Sequence, residues 1–156
     1  MSGEWKGPAR RSTETGVAEI IFADLGECRE LLIEAVGLQH NSGTPDFLIQ
    51  LAADNGAGTW DTTNYITVGN TGTSGFIFAT SVPTTTSVDL TVELLHFNVA
   101  TQTWATKLNG GRQGSVTGRR NESARNTQAT AWNALRITTS TGTDFTANDG
   151  VSVRYR

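Results

Sequence analysis

The chain has 156 residues, of which 37% are hydrophobic and 17% charged, and its formal net charge is −3. This length is typical of one domain, and a domain of this size buries enough apolar surface to fold without disulfides or structural metals. The single cysteine excludes an intramolecular disulfide and a cysteine-based metal site. No apolar run reaches the length of a signal-peptide core or a membrane span, so we expect synthesis in the cytoplasm without export.

Charge is distributed unevenly along the chain. Residues 31–106 contain six acidic residues and no Lys or Arg, whereas residues 107–156 contain eight basic residues and three acidic ones. A nucleic-acid surface needs clustered excess positive charge, which this balance does not provide. The pattern instead predicts complementary contacts, either inside one subunit or between neighbouring copies. The acidic candidates for contacts between copies are Asp46, Asp54, Asp61 and Glu93.

Residues 1–16 show no strand periodicity and predict an extended N-terminal arm, separate from a single domain at residues 17–156. The arm carries Trp5, Arg10 and Arg11. An exposed indole leaves a large apolar area uncovered, so Trp5 is expected either to contact a partner or to fold back on its own domain. If the arm serves a partner, its removal leaves the thermal stability of the domain unchanged.

Short apolar runs bounded by turn residues follow through the rest of the chain. In residues 88–97, Val88, Leu90, Val92 and Leu94 alternate with mostly polar residues, the pattern of a strand with one buried face. Residues 103–108 follow after a short polar connection, so the two runs predict a central hairpin. Further strands are predicted at residues 17–22, 30–38, 47–53, 60–68, 75–80, 131–139 and 151–155, with a marginal one at 115–119.

The segments between these runs predict turns and loops. Asp54-Asn55-Gly56 is a strong turn signal because Asn and Gly tolerate positive φ. Residues 69–74, 120–128 and 140–150 are polar and are expected to be loops. About nine short strands without a helical run predict an all-β fold, an antiparallel β-sandwich of the jelly-roll type.

The polar residues form no recognised catalytic motif. His40 and His96 lie in no Ser or Cys nucleophile motif, and a packing or surface role is expected for both. Residues 54–61 and 144–149 offer acidic oxygens, but neither segment has the spacing or the terminal Glu of an EF-hand calcium loop. We therefore expect no enzymatic activity, no metal and no cofactor.

Aromatic and basic residues provide the candidate binding sites. Trp60, Tyr65 and Trp104 are candidates for stacking on sugar rings, with Thr, Asn and Asp residues supplying hydrogen bonds. Because tryptophan is usually highly buried, a core or interface position is the alternative. A basic stretch suits carboxylate or phosphate groups, or polar contacts between subunits. It consists of Arg112, Arg119, Arg120 and Arg125.

Five segments, taken in order, resemble the small β-sandwich modules of tailed-phage virion proteins. They are GVAEIIF from residue 16, RELLIE from residue 29, FLIQLAADNGAGTW from residue 47, WNALRITTSTG from residue 132 and VSVRY from residue 151. The resemblance covers about residues 17–156 and consists of strand and turn patterns, so no catalytic residue is carried over.

Modules of this kind occur in tail fibres and in head-bound fibres or spikes. The resemblance implies a non-enzymatic virion protein, a fibre, spike or decoration subunit that is often trimeric and can bind host surface polysaccharide. Its N-terminal segment, with Trp5, Arg10 and Arg11, would attach it to other virion proteins. A free carbohydrate-binding module, which would be monomeric, is the alternative. The chain has no long shaft or coiled coil, which leaves a compact fibre or a capsid decoration open.

Overall fold

The computed structural model describes residues 6–12, 14–25, 29–53, 56–57, 60–63, 65–67, 70–98, 103–112, 120–127 and 132–156. These residues contain thirteen strands and no α-helix. The strands are β1 (Lys6–Ser12), β2 (Glu19–Phe22), β3 (Glu30–His40), β4 (Phe47–Ala52), β5 (Tyr65–Thr67), β6 (Asn70–Thr73), β7 (Phe76–Ala79), β8 (Val88–Asn98), β9 (Thr103–Arg112), β10 (Arg120–Thr127), β11 (Ala134–Thr139), β12 (Phe145–Ala147) and β13 (Gly150–Tyr155).

The strands form two antiparallel sheets. The smaller sheet has the order β2-β11-β4-β7, and the larger has the order β1-β13-β3-β8-β9-β10-β5-β6, with β12 also paired to β3. Within this arrangement, β1-β13-β3-β8 and β2-β11-β4-β7 have the strand order of the two four-stranded sheets of a jelly roll. The chain changes sheet at each step through these eight strands except from β4 to β7, which are neighbours in the smaller sheet. β9, β10, β5 and β6 widen the larger sheet beyond β8. The predicted antiparallel β-sandwich is confirmed, with more strands than expected.

The hairpin of β8 and β9 forms as the alternation predicted. Its pairing runs from Val88 opposite Arg112 to Asn98 opposite Thr103, with an irregularity after His96. Val88, Leu90, Val92 and Leu94 of β8 are buried, whereas Glu93 and Leu95 are exposed. Each fully buried aliphatic side chain contributes about 1.5–3 kcal/mol, so this strand is a major part of the core.

Aromatic side chains pack at the centre of the core, between the sheets. The ring of Phe47 on β4 contacts Phe78 on β7 and Phe145 on β12, with centroid distances of 5.9 and 5.6 Å. Both contacts are edge to face, the arrangement that aromatic quadrupoles favour. His40 at the end of β3 contacts the same ring at 5.6 Å. One cluster therefore joins the two sheets.

β3 continues through a bulge between Ala35 and Leu38. Gly37 in this bulge has a φ of 69°, and its N–H donates to the Asp89 carboxylate at 2.9 Å. A Cβ at this position would lie 2.8 Å from an oxygen of Asp149. The positive φ therefore favours glycine at this position, and a larger residue would also force the Asp149 side chain to shift.

Four polar segments form strands where the sequence predicted an arm or loops. Residues 6–12 form β1 on the outer edge of β13, and residues 120–127 form β10 between β9 and β5. The predicted loops at 69–74 and 140–150 contain β6 and β12. Backbone hydrogen bonds hold a strand in a sheet without apolar alternation, so the three loop expectations are corrected, and part of the predicted arm is an edge strand. Of the predicted strand at 60–68, Tyr65–Thr67 pairs as β5, and the one at 115–119 lies outside the described residues.

Candidate functional site

The outer face of the smaller sheet carries polar side chains on three adjacent strands. Arg136 on β11 is paired with Gln50 on β4, and Thr138 on β11 is paired with Glu19 on β2. Residues that pair across two strands share a face, and the neighbours of Arg136 on β11 point into the core. The side chains of Glu19, Gln50, Arg136 and Thr138 therefore point away from the core.

Arg136 joins these strands through its guanidinium group. Its Nε donates to Gln50 Oε1 at 2.7 Å, and its Nη1 forms an ion pair with Glu19 Oε2. Gln50 Nε2 in turn donates to the carbonyl oxygen of Ser74 at 2.5 Å. The amide of Gln50 is thus satisfied at both ends although the residue is only 3% exposed. The side chains of Arg136 and Glu19 remain 20% and 37% exposed, so this pair stays in contact with solvent.

Trp60 covers one face of the guanidinium group. The Arg136 Cζ lies 4.8 Å from the centroid of the indole, a cation–π contact. The same indole packs with Ala52 and Ala134. Gly56 has a φ of 73°, and a Cβ there would lie 2.7 Å from the ring. The glycine of the predicted turn therefore makes room for Trp60, while the preceding residues 54–55 lie outside the described part of the chain.

A cavity of about 340 Å³ opens beside this cluster, and we call it the outer-face groove. The polar side chains that line it include Glu19, Gln50, Thr62, Arg136, Thr138 and Ser140. Its volume lies within the range of about 300–1,000 Å³ that is typical of small-molecule sites. Since the charges of Glu19 and Arg136 are opposite, the groove is polar without carrying a net charge from this pair.

The three aromatic residues predicted to stack on sugars are buried. Tyr65 is 0% exposed, Trp104 is 1% exposed and Trp60 is 9% exposed. Tyr65 and Trp104 belong to the core between the sheets, and Trp60 lies against Arg136. This corrects the expectation of an exposed aromatic platform, and the alternative, burial, is what the structure shows.

The hydroxyl of Tyr65 links the two sheets. It accepts a hydrogen bond from the backbone N–H of Leu51 on β4 at 2.8 Å, and its ring packs edge to face on Phe76 at 4.8 Å. Burial raises the pKa of Tyr65 well above its ordinary value, because the phenolate would lose its hydration in the core. Tyr65 is therefore a neutral structural residue.

The arginines predicted to make contacts lie on the larger sheet where they are described. Arg10 and Arg11 are on β1, opposite Val153 and Ser152 of β13. Trp5 and Arg119 lie outside the described residues. Arg112 ends β9, while Arg120 and Arg125 are on the adjacent strand β10. The fold thus brings these last three backbone positions onto neighbouring strands.

Two of the four acidic residues predicted to contact other copies have partners in their own chain. Asp46 accepts a hydrogen bond from the N–H of Ser81 at 2.8 Å, and Asp61 accepts from the N–H of Thr63 at 3.0 Å. Glu93 is exposed on β8, and Asp54 lies outside the described residues. Glu93 is therefore the clearest of the four candidates for a contact with another molecule.

His40 contacts backbone carbonyl groups. Its Nε2 lies 2.7 Å from the Val82 oxygen and its Nδ1 lies 3.0 Å from the Ser42 oxygen, and the residue is buried. These contacts and the contact with Phe47 give His40 a packing role. Within the described residues, no group of three or more His, Cys, Asp or Glu side chains is placed to hold a metal ion.

Glu19, Gln50 and Arg136 were not among the residues that the sequence predicted for a site. Gln50 gives one signal, because it is the single polar residue in the run FLIQLAA. A polar residue inside an apolar strand needs a hydrogen-bonding partner, which the sequence does not name. Arg136 and Glu19 alternate with apolar residues and look like ordinary solvent-facing positions of a strand.

No protein-family model matches this chain, and no significant match was found among the curated proteins or the solved structures. In the part of the chain that the structure describes, no helix has the length and apolar character needed to cross a membrane.

Proposed function

We propose that the chain is a non-enzymatic structural protein of a phage or phage-like particle, a subunit of a fibre, spike or decoration. The observation that carries the proposal is the jelly-roll topology, because viral capsid proteins and lectins are built on this arrangement of two four-stranded sheets. A fold alone hosts many functions. The choice of a virion protein therefore also draws on the resemblance of the five strand and turn segments quoted above.

Open strand edges support self-association. Among the described strands, β1 and β6 are the edges of the larger sheet, and β2 and β7 are those of the smaller sheet. The backbone of an edge strand has N–H and C=O groups that a strand of another chain can bond. On β2 the side chain of Ile21 is also 42% exposed, so this edge offers apolar area as well as backbone groups.

The proposed assembly is a homo-oligomer, with a trimer as the expected stoichiometry. Exposed ion pairs contribute only about 0–1 kcal/mol each, which is too little to hold the subunits together. Contacts between Glu93 and basic residues of a neighbouring copy would therefore mainly set the register of the subunits. Most of the binding free energy would come from apolar groups, and Ile21, Val36 and Leu95 are the exposed large hydrophobic residues of the described surface. Association should therefore weaken only modestly as salt rises.

The N-terminal segment is the proposed attachment to the particle. Trp5, Arg10 and Arg11 would contact other virion proteins, and the proposal is supported by the edge position of β1, the strand that contains Arg10 and Arg11. The protein would then reside in the virion after synthesis in the host cytoplasm.

Light scattering of the purified full chain tests the assembly. At tens of micromolar, we expect a trimer at about 0.1 M salt and a detectable shift toward smaller species at about 1 M, where the Debye length falls from about 10 to about 3 Å. A monomer at both salt concentrations would overturn the oligomer and favour the free carbohydrate-binding module. Mass spectrometry of gradient-purified phage particles encoded by the source genome tests whether the chain resides in the virion. Absence of the chain from those particles would refute this location.

A further inference from the structure

We propose that the outer-face groove binds a neutral saccharide, and that Glu19 and Arg136 hold it by hydrogen bonds in place of aromatic stacking. The proposal goes beyond a structural role in a particle, and it depends on the groove rather than on the oligomeric state. It also replaces the aromatic site predicted from the sequence, since Trp60, Tyr65 and Trp104 are buried.

The groove presents acceptors and donors side by side. The guanidinium group of Arg136 has five N–H donors, of which two serve Gln50 and Glu19 among the described residues. Glu19 uses Oε2 for this ion pair, and among the described residues Oε1 is left to accept a hydrogen bond. Adjacent hydroxyl groups of a sugar ring can each donate and accept. One of them can therefore donate to the carboxylate while its neighbour accepts from the guanidinium group.

The remaining lining suits hydroxyl groups as well. Thr62, Thr138 and Ser140 contribute side-chain hydroxyls, and Ser140 already accepts a hydrogen bond from the N–H of Asp46 at 2.9 Å. The Thr138 hydroxyl donates to the carbonyl oxygen of Ala18 at 2.9 Å, so it can only accept from a ligand. Leu48 on β4 also lines the groove but is only 3% exposed, so the surface that a ligand meets is mainly polar. A few fixed polar groups that converge on a pocket are typical of small-molecule sites.

The charges at the groove favour a neutral ligand over an anion. A phosphate or carboxylate near Arg136 would also lie near the carboxylate of Glu19, and this repulsion opposes the attraction to the guanidinium group. A cation would be attracted by the carboxylate of Glu19 and repelled by the guanidinium group of Arg136. A sugar without charged groups meets neither repulsion and can use the donors and the acceptors together.

The guanidinium group is already fixed before a ligand arrives. Gln50 holds Nε, Glu19 holds Nη1 and the Trp60 indole covers one face. A ligand therefore does not need to order this long side chain, which reduces the entropic cost of binding.

The test is a panel of immobilised neutral and acidic oligosaccharides probed with the labelled full chain. The best neutral oligosaccharide is then measured in solution by isothermal titration calorimetry. We expect binding to at least one neutral oligosaccharide and weaker or no binding to its sialylated or uronic-acid counterparts. A blank panel, or binding confined to acidic glycans, would overturn the proposal.

Two variants locate the site. Glu19→Gln is expected to weaken saccharide binding about tenfold, since it removes a charged acceptor. Glu34→Gln is the matched control, because Glu34 is exposed on β3 of the larger sheet, and it should bind as the native chain does. Thr62→Val, at the exposed rim of the groove, should also weaken binding. It replaces Glu19→Gln as the test variant if Glu19→Gln lowers the melting temperature. Native affinity in a folded Glu19→Gln or Thr62→Val variant would place the ligand elsewhere and refute the site. A monomer that binds the sugar would leave this proposal standing and overturn only the oligomer.

Discussion

Replacing Tyr65 by phenylalanine tests the link between the two sheets. The ring of Tyr65 would keep its contact with Phe76, but the N–H of Leu51 would lose the hydroxyl that it bonds at 2.8 Å. Leu51 lies beyond the residues of β4 that pair with β7, so β7 cannot take over this donor. A buried donor without a partner costs about 1–3 kcal/mol. For a chain of this length we expect a fall in melting temperature of about 2–12 °C.

The pH dependence of Tyr65→Phe carries a second signature. Burial raises the pKa of Tyr65, so the phenol stays protonated in the folded chain and ionises in the unfolded chain above pH about 10. The stabilisation from this residue is complete below that pH and falls above it, by about 1.4 kcal/mol at pH 11. The stability advantage of the native chain over Tyr65→Phe should therefore shrink between pH 10 and pH 11.

Urea denaturation at pH 7, 10 and 11, followed by circular dichroism at one protein concentration, measures both effects. Tyr155→Phe is the matched control. Tyr155 is half-buried at the end of β13, so water can bond to groups that lose the Tyr155 hydroxyl, and the loss of unfolding free energy should be smaller. Equal stability of Tyr65→Phe and the native chain at pH 7 would refute the hydrogen-bond argument. A difference that stays constant up to pH 11 would refute the pKa argument.

Two further predictions concern the backbone of the larger sheet. Gly37→Ala should destabilise the chain by about 1–3 kcal/mol in urea denaturation, because it combines positive φ with a Cβ close to Asp149. Gly142→Ala is its control, with a φ of 67° and open space around the position, and an equal cost for the two variants would exclude the steric term. Removing residues 1–12 eliminates β1 and should lower the melting temperature by more than about 2–4 °C, which is the fall that a loss of about 1 kcal/mol of stability produces in a chain of this size. Removing residues 1–5 leaves β1 in place and should not lower the melting temperature to this extent. Equal melting temperatures for both truncations would show that β1 adds nothing to the fold.

Sequence patterns predicted the strands that have one face in the core. In β8 and in β13, apolar residues recur at every second position, and these residues are buried in the structure apart from Tyr155, which is half-buried at the end of β13. Alternation reports one-sided burial, since successive side chains of a strand point to opposite faces. β1 and β10 gave no such signal because their sequences, KGPARRS and RNESARNT, have almost no apolar residues. Their place in the sheet comes from backbone pairing with β13 and β9.

The sequence by itself determined that the chain is an antiparallel β-sandwich, because its short alternating runs can bury their apolar faces only against one another. It left open which polar residues meet and which aromatic rings stay exposed. Glu19, Gln50 and Arg136 are far apart in the chain, and they meet because β11 pairs with both β2 and β4 in one register. Trp60 and Tyr65 lie five residues apart, yet one covers Arg136 and the other enters the core. Only the tertiary structure decided these contacts, because strand order and register depend on the packing of the whole core, whereas periodicity is a property of each segment alone.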